Sequence, residues 1–281
     1  MLKYIFPLFT MFLVACGDAD SGGGTHNTQE NFAQNNSQYG RKRAMVLSKN
    51  GITLTELTDY PIFKDAELSV VSPKDKASPG KTNFEFRVSN FLLSERTSEE
   101  EKLGFRTEEA GQHITLINSG HLPKKSNETS IEEDINPGEN YVFAVLTRSY
   151  GMSVHDAEKG YTFSKISIEE GNKSSITKPK GSHVVPMSPM GEYTYAFSKN
   201  ILLDFYLIDV KISEGGNYVL VNIDDTEFKI TKWASFNING LGYGSHSISF
   251  KLMNAQNQLI PGPFNDLGKF VFTLKDKEIT L

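Results

Sequence analysis

The sequence predicts an all-β chain built from two tandem β-sandwich modules. Three observations carry this expectation: short runs alternate apolar and polar residues with a period of two, turn residues separate the runs, and the same order of runs occurs twice. In the second half Ile248, Phe250 and Leu252 alternate with Ser247, Ser249 and Lys251. Val142, Ala144 and Leu146 repeat that pattern in the first half, and Gly138 falls on Gly244. Upstream, Gln112-His113-Ile114-Thr115-Leu116 matches Asn217-Tyr218-Val219-Leu220-Val221, and Phe84, Phe86 and Val88 match Leu203, Phe205 and Leu207. Each of the last two sets follows a Ser-Pro dipeptide, Ser72-Pro73 and Ser188-Pro189. Neither half has a helical period, so the modules are expected to be immunoglobulin-like sandwiches without the Cys-Trp-Cys signature of antibody domains.

In chain order, residues 1–16 read as a lipoprotein signal peptide. Lys3 supplies the positive start, Ile5 to Leu13 a short apolar run, and Leu13-Val14-Ala15-Cys16 has the form of a lipobox whose cysteine is acylated. Cys16 is the only cysteine, so it has no disulfide partner in the chain. Several acyl chains on it would make membrane attachment nearly permanent, which predicts an anchored protein of the bacterial cell envelope, at the outer membrane. Residues 17–45 contain Gly22-Gly23-Gly24 followed by Asn, Gln, Ser and Thr, too polar to offset the entropy of ordering them, and read as a flexible tether.

The first module is expected over 46–170. Its run 94–102 is so charged that it reads as a solvated loop or a short exposed helix. The stretch 171–182, rich in Gly, Ser, Lys and Pro, reads as the linker. The second module follows over 183–281, with Asp224-Asp225 as a hairpin turn. Nineteen Phe and 11 Tyr supply large side chains for two cores, and the net charge of −5 leaves no basic surplus for nucleic acid.

The chain resembles a family of bacterial lipoproteins with two such modules. The likeness lies at Gly111-Gln112-His113-Ile114, Leu146-Thr147-Arg148-Ser149-Tyr150, Leu202-Leu203-Asp204-Phe205-Tyr206-Leu207 and Pro261-Gly262-Pro263-Phe264-Asn265, and it spans nearly all of the chain after the tether. Members are often labelled phosphopeptide-binding. The forkhead-associated sandwich reads phosphothreonine with a Gly-Arg, a Ser-x-x-His and an Asn-Gly in that order. Here Gly40-Arg41 lies in the tether, Ser153-Val154-His155 has another spacing and Asn239-Gly240 lies in the other module, so that pattern is not present. The segment 186–191 also lacks the basic residues associated with this place in the family.

Candidate ligand-binding residues are His113, Arg148, Tyr150 and Trp233. Arg148 directly follows a core strand, where loops often carry binding groups, and its guanidinium suits a carboxylate or phosphate. Trp233, with Tyr206 and Tyr243, forms a candidate aromatic platform for a sugar or peptide; the alternative is that it plugs the end of the sandwich. His113, His121 and His155 all fall in the first module, but none has the short spacing of a metal motif. Gly-x-Ser-x-Gly, His-Glu-x-x-His and a nucleophilic cysteine are absent from the sequence. The expected function is therefore non-enzymatic: a lipid-anchored envelope protein presenting two sandwiches to a protein, peptide or glycan, with no cofactor. The alternative is an envelope hydrolase or metal-dependent enzyme using the histidines of the first module.

Overall fold

The alternating runs are strands in the computed structural model, which describes residues 44–119 and 121–277. Cys16, the signal peptide and the tether up to residue 43 lie outside the described residues. The first module has β3 (Glu67–Ser72), β4 (Gly80–Ser89), β5 (His113–Asn118), β6 (Lys124–Ser126), β7 (Ser130–Ile135), β8 (Gly138–Thr147), β9 (Tyr161–Ile168) and β10 (Ser174–Thr177), with the short helix α1 (Glu100–Leu103) between β4 and β5. A sheet β3-β4-β7 faces a sheet β10-β9-β8-β5-β6. Leu68, Phe84, Phe86 and Ile131 of the first meet Ile114, Leu116, Ala144 and Ile166 of the second. This strand arrangement, three strands against a sheet of four or more, is that of an immunoglobulin-like sandwich.

The second module repeats it with β11 (His183–Ser188), β12 (Gly191–Tyr193), β13 (Ile201–Ile208), β14 (Tyr218–Ile223), β15 (Thr226–Ile230), β16 (Phe236–Asn239), β17 (Gly244–Met253) and β18 (Phe270–Leu274). The repeat seen in the sequence holds to the register. Leu116 pairs with Ala144 in the first module and the matching Val221 with Phe250 in the second. Phe84 pairs with Ile131, and the matching Leu203 with Phe236. Gly138 and Gly244, which open β8 and β17, both have positive φ (95° and 124°), a conformation that glycine adopts without a Cβ clash.

Three expectations change. Residues 46–56, grouped by their sequence with the first module, form the hairpin β1 (Val46–Lys49) and β2 (Ile52–Glu56), and β2 pairs with β16 of the second module. Ile52 and Leu54 thereby enter the second core, because the open edge of β16 offers unpaired backbone groups beside an apolar face. The linker 171–182 is partly strand: β10 pairs with β9. The charged run 94–102 does include a short helix, but Glu100 turns inward, accepting from Ser149 Oγ and from Arg96 Nη1 at 2.8 Å.

All of β5, all of β13 and β8 from Val142 to Thr147 are buried. A strand with one covered face alternates, so these strands must be covered on both. The outer face of the β5–β8–β9 sheet packs on the outer face of β11 and β13. Ile117, Phe143, Val145 and Phe163 meet Val185, Tyr206, Ile208 and Phe264, with Phe143 and Tyr206 rings 5.2 Å apart. The two sandwiches thus stack as four layers of sheet joined at an apolar seam, and the described residues form one compact unit.

Candidate functional site

The seam positions every candidate residue, and it separates them. His113 stands on the seam face of β5 with Thr115 and Ile117, yet it is buried, with Nδ1 2.9 Å from Gly111 O. Burial pushes its imidazole below the ordinary value of 6.5, so it is neutral at pH 7. Arg148 is fully buried rather than a loop arm. Its Nε and Nη2 donate to Pro61 O at 3.2 and 2.7 Å, Nη1 to Ser153 O at 2.7 Å, and Nη2 to Asp156 Oδ1 at 2.5 Å. The guanidinium also lies over the rings of Tyr60 and Phe63, at 5.1 and 5.2 Å. Four of its five N–H groups are bonded within the protein and the group is shut off from solvent, so the geometry supports a structural role.

Asp204, a carboxylate in the middle of an apolar strand, completes this network from the second module. It accepts from Ser153 N at 2.8 Å and Ser235 Oγ at 2.5 Å. A backbone amide of one module is thereby bonded to a side chain of the other. Sequence reasoning passed over this role, although a lone Asp within Ile201-Leu202-Leu203-Asp204-Phe205-Tyr206-Leu207-Ile208 was the available signal: eight residues without alternation mark a strand covered on both faces. Asn265, in the resemblance segment 261–265, is likewise a buried clip, accepting from Val184 N and donating to Ser182 O and Ile260 O.

The histidines of the first module do not converge. His121 Nδ1 is 2.5 Å from Glu133 Oε1 and its Nε2 3.0 Å from Asn136, while His155 Nε2 is 3.3 Å from Tyr60 OH. Among the described residues no three His, Cys, Asp or Glu are grouped so as to hold a metal ion.

Tyr150 does reach an open site. It stacks on Phe105 (6.2 Å) in the wall of a cleft of about 250 Å³ between the modules. Phe105, Leu122 and Tyr150 come from the first module; Met187, Met190, Tyr193 and Leu202 come from the second. Thr115 and Thr147, joined by a 2.8 Å hydroxyl contact, supply its polar part. The mouth is charged. Arg106 lies 4.5 Å over the Tyr193 ring and donates to Glu192 O, and Lys125 pairs with Glu108 at 2.6 Å. Burial opposes ionisation of Glu108, but Lys125 and Arg106 outweigh it and hold its carboxyl below the usual range. Leu122, 83% exposed, stands unprotected beside these charges.

Trp233 lies elsewhere on the seam, half-buried against the core of the second module and the apolar cluster of the seam. Its Nε1 donates to Phe205 O at 3.1 Å, and Tyr206 meets it edge-on at 5.2 Å. Tyr243 is not part of this group; it pairs with Tyr195 at 6.0 Å.

No family model matches the sequence, and no curated protein matches it. Among solved structures, the fibronectin(III)-like modules of Clostridium thermocellum CbhA match at 11% identity over 74% of this chain and 94% of theirs, with a TM-score of 0.26. The Bacteroides ovatus protein SGBP-B, from a mixed-linkage glucan utilization locus and bound to a mixed-linkage heptasaccharide, matches at 8% over 74% and 70%, with a TM-score of 0.20. The two tandem V-type regions of a v-region-containing chitin binding protein match at 10% over 75% and 99%, with a TM-score of 0.21. With TM-scores this low, none of these likenesses bears on ligand or partner.

Proposed function

We propose that the protein is a non-enzymatic binding protein of the bacterial cell envelope, anchored through acylated Cys16, that takes an apolar or aromatic group of a protein or peptide partner into the seam cleft. The observation that carries this reading is the cleft itself: a recess of about 250 Å³ whose apolar walls come from both sandwiches and whose mouth exposes Leu122. Exposed apolar surface rimmed by charge is the usual form of a protein-interaction site. Two cations, Arg106 and Lys125, against one carboxylate, Glu108, favour acidic residues flanking the inserted group. The lipobox and the resemblance to tandem-module lipoproteins support the anchor, and the net charge of −5 speaks against nucleic acid. The enzymatic alternative finds less support, since His113, His121 and His155 are separately engaged and no nucleophile-base pair lines the cleft.

The test places a photo-crosslinking residue at Leu122 in cells making the full lipoprotein. A discrete crosslinked partner that disappears when Met190→Trp fills the cleft is expected; crosslinking unchanged by the filled cleft overturns the reading. In the same cells Cys16→Ser should move the protein from the membrane to the soluble fraction.

A further inference from the structure

A second recess opens on the seam at Trp233, away from the cleft and independent of the reading given for it. It measures about 410 Å³, within the range of small-molecule sites. We infer that it is a carbohydrate-binding site, in which a neutral sugar ring stacks on Trp233 and Tyr161 while Asp209, Glu158 and Lys211 hydrogen-bond its hydroxyls.

Its aromatic wall is built from both modules. Tyr206, buried, lies between Tyr161 at 5.0 Å and Trp233 at 5.2 Å, both of which are half-buried. The wall is rigid: Tyr206 sits within β13, Tyr161 opens β9, and the bond from Trp233 Nε1 to Phe205 O fixes the indole plane. A prearranged surface loses little entropy when it receives a ligand. His155 lines the same recess with its ring 5.5 Å from that of Trp233, and its buried Nδ1 has no partner in the protein. Burial also keeps this imidazole neutral.

The rim decides the ligand class. Aromatic faces beside two carboxylates would suit a cation, but Lys211 stands on the same rim and repels one. A sugar satisfies all three groups: each hydroxyl donates to a carboxylate or accepts from an ammonium, while the C–H face of the ring covers the aromatics. Glu158, Asp209 and Lys211 are exposed and reach solvent where the hydroxyls of a chain of sugars would lie.

Trp233 is the only tryptophan of the chain, so its fluorescence reports this recess alone. Full-length protein in detergent is titrated with neutral oligosaccharides of glucose, mannose and N-acetylglucosamine, and separately with tetramethylammonium chloride. A saturable shift of Trp233 emission with at least one sugar series is expected. Asp209→Asn, which suits the positive φ of 50° at that residue, should weaken that binding about tenfold, the worth of one good hydrogen bond. Calorimetry should find binding retained in Trp233→Phe and lost in Trp233→Ala, with circular dichroism confirming that each variant is folded, and Leu122→Ala in the cleft should leave the titration unchanged. The inference is overturned if tetramethylammonium alone saturates, if no sugar does, or if sugar binding survives Asp209→Asn and Trp233→Ala undiminished.

Discussion

Arg148 ties together three acceptors, Pro61 O, Ser153 O and the Asp156 carboxylate. Replacing it with Met leaves the carbonyls of Pro61 and Ser153 without the guanidinium donor and the Asp156 carboxylate with only Phe63 N, and breaking a largely buried ion pair costs up to about 3–5 kcal/mol. Arg148→Lys should recover little, since one ammonium cannot reproduce a fork that reaches three acceptors; denaturant unfolding of both variants measures the difference. Three imidazoles, His113 and His183 buried and His155 largely so, contribute to the response to acid. Burial holds His113, His155 and His183 below 6.5, so the unfolded chain binds protons that the folded chain does not. Their contribution is complete above about pH 6.5 and drains away as pH falls below it toward the folded values. Thermal melts should therefore be flat near neutrality and drop as pH falls below about 6.5, with a shallower drop in His183→Leu, which also removes two ring nitrogens that lack partners. A lone sequence cannot separate these roles from ligand binding. Arg148 after a strand reads the same whether its guanidinium faces solvent or Asp156, because the deciding groups, Pro61 and Asp156, are set by the fold. Tyr150 and Trp233 were legible as aromatics near open surface, but that each serves a different recess was not.

At the level of elements, periodicity carried far. Matched runs such as 112–116 and 217–221 became equivalent strands in equivalent register, because a shift of one residue would have turned each apolar set outward. The hairpin β1–β2 turns at Asn50-Gly51, both at positive φ, a two-residue turn signal that the sequence carries and that sequence reasoning passed over; its place in the fold carries no such signal. Ile52, Leu54 and Glu56 alternate as well for one sheet as for another, and what draws them across is the free edge of β16, invisible in sequence. Gly240 records that docking. A Cβ there would sit 2.0 Å from Gly51 O, and its φ of +91° is costly for any other residue. Gly240→Ala should push the hairpin turn away from β16 and cost about 2–4 kcal/mol, in the range of strain and lost packing. Hydrogen exchange should show the amides of 52–54 losing protection while those of β5 and β8 keep theirs; equal loss in all three would mean that the hairpin is not a separate docking element.

The whole molecule is less divisible than its repeat suggests. Composition marks 171–182 as a boundary, and beads on a string would unfold one by one. Two features oppose that. The seam buries Phe143, Val145, Tyr206 and Ile208, which separate modules would leave in water, and Asp204 bonds across it to Ser153 N. The hairpin 46–56 leaves the second module and the chain then builds the first, so cutting at the linker removes a strand from the module it does not adjoin in sequence. The signal for this was in the run 201–208, apolar but for Asp204 and without alternation, which is too apolar for a strand with one wet face. The full chain should accordingly melt in a single transition. The fragment 171–281 should be unstable and prone to associate, since it exposes both the edge of β16 and the seam face of β13. Adding a peptide of residues 44–58 fills that edge and returns Ile52 and Leu54 to the core; by mass action it should raise the melting temperature of the fragment in proportion to the logarithm of peptide concentration. A peptide with Leu54→Asp should not. A fragment that folds stably without the peptide would mean that the second module closes its own edge, and that the hairpin serves only to fix where the chain enters it.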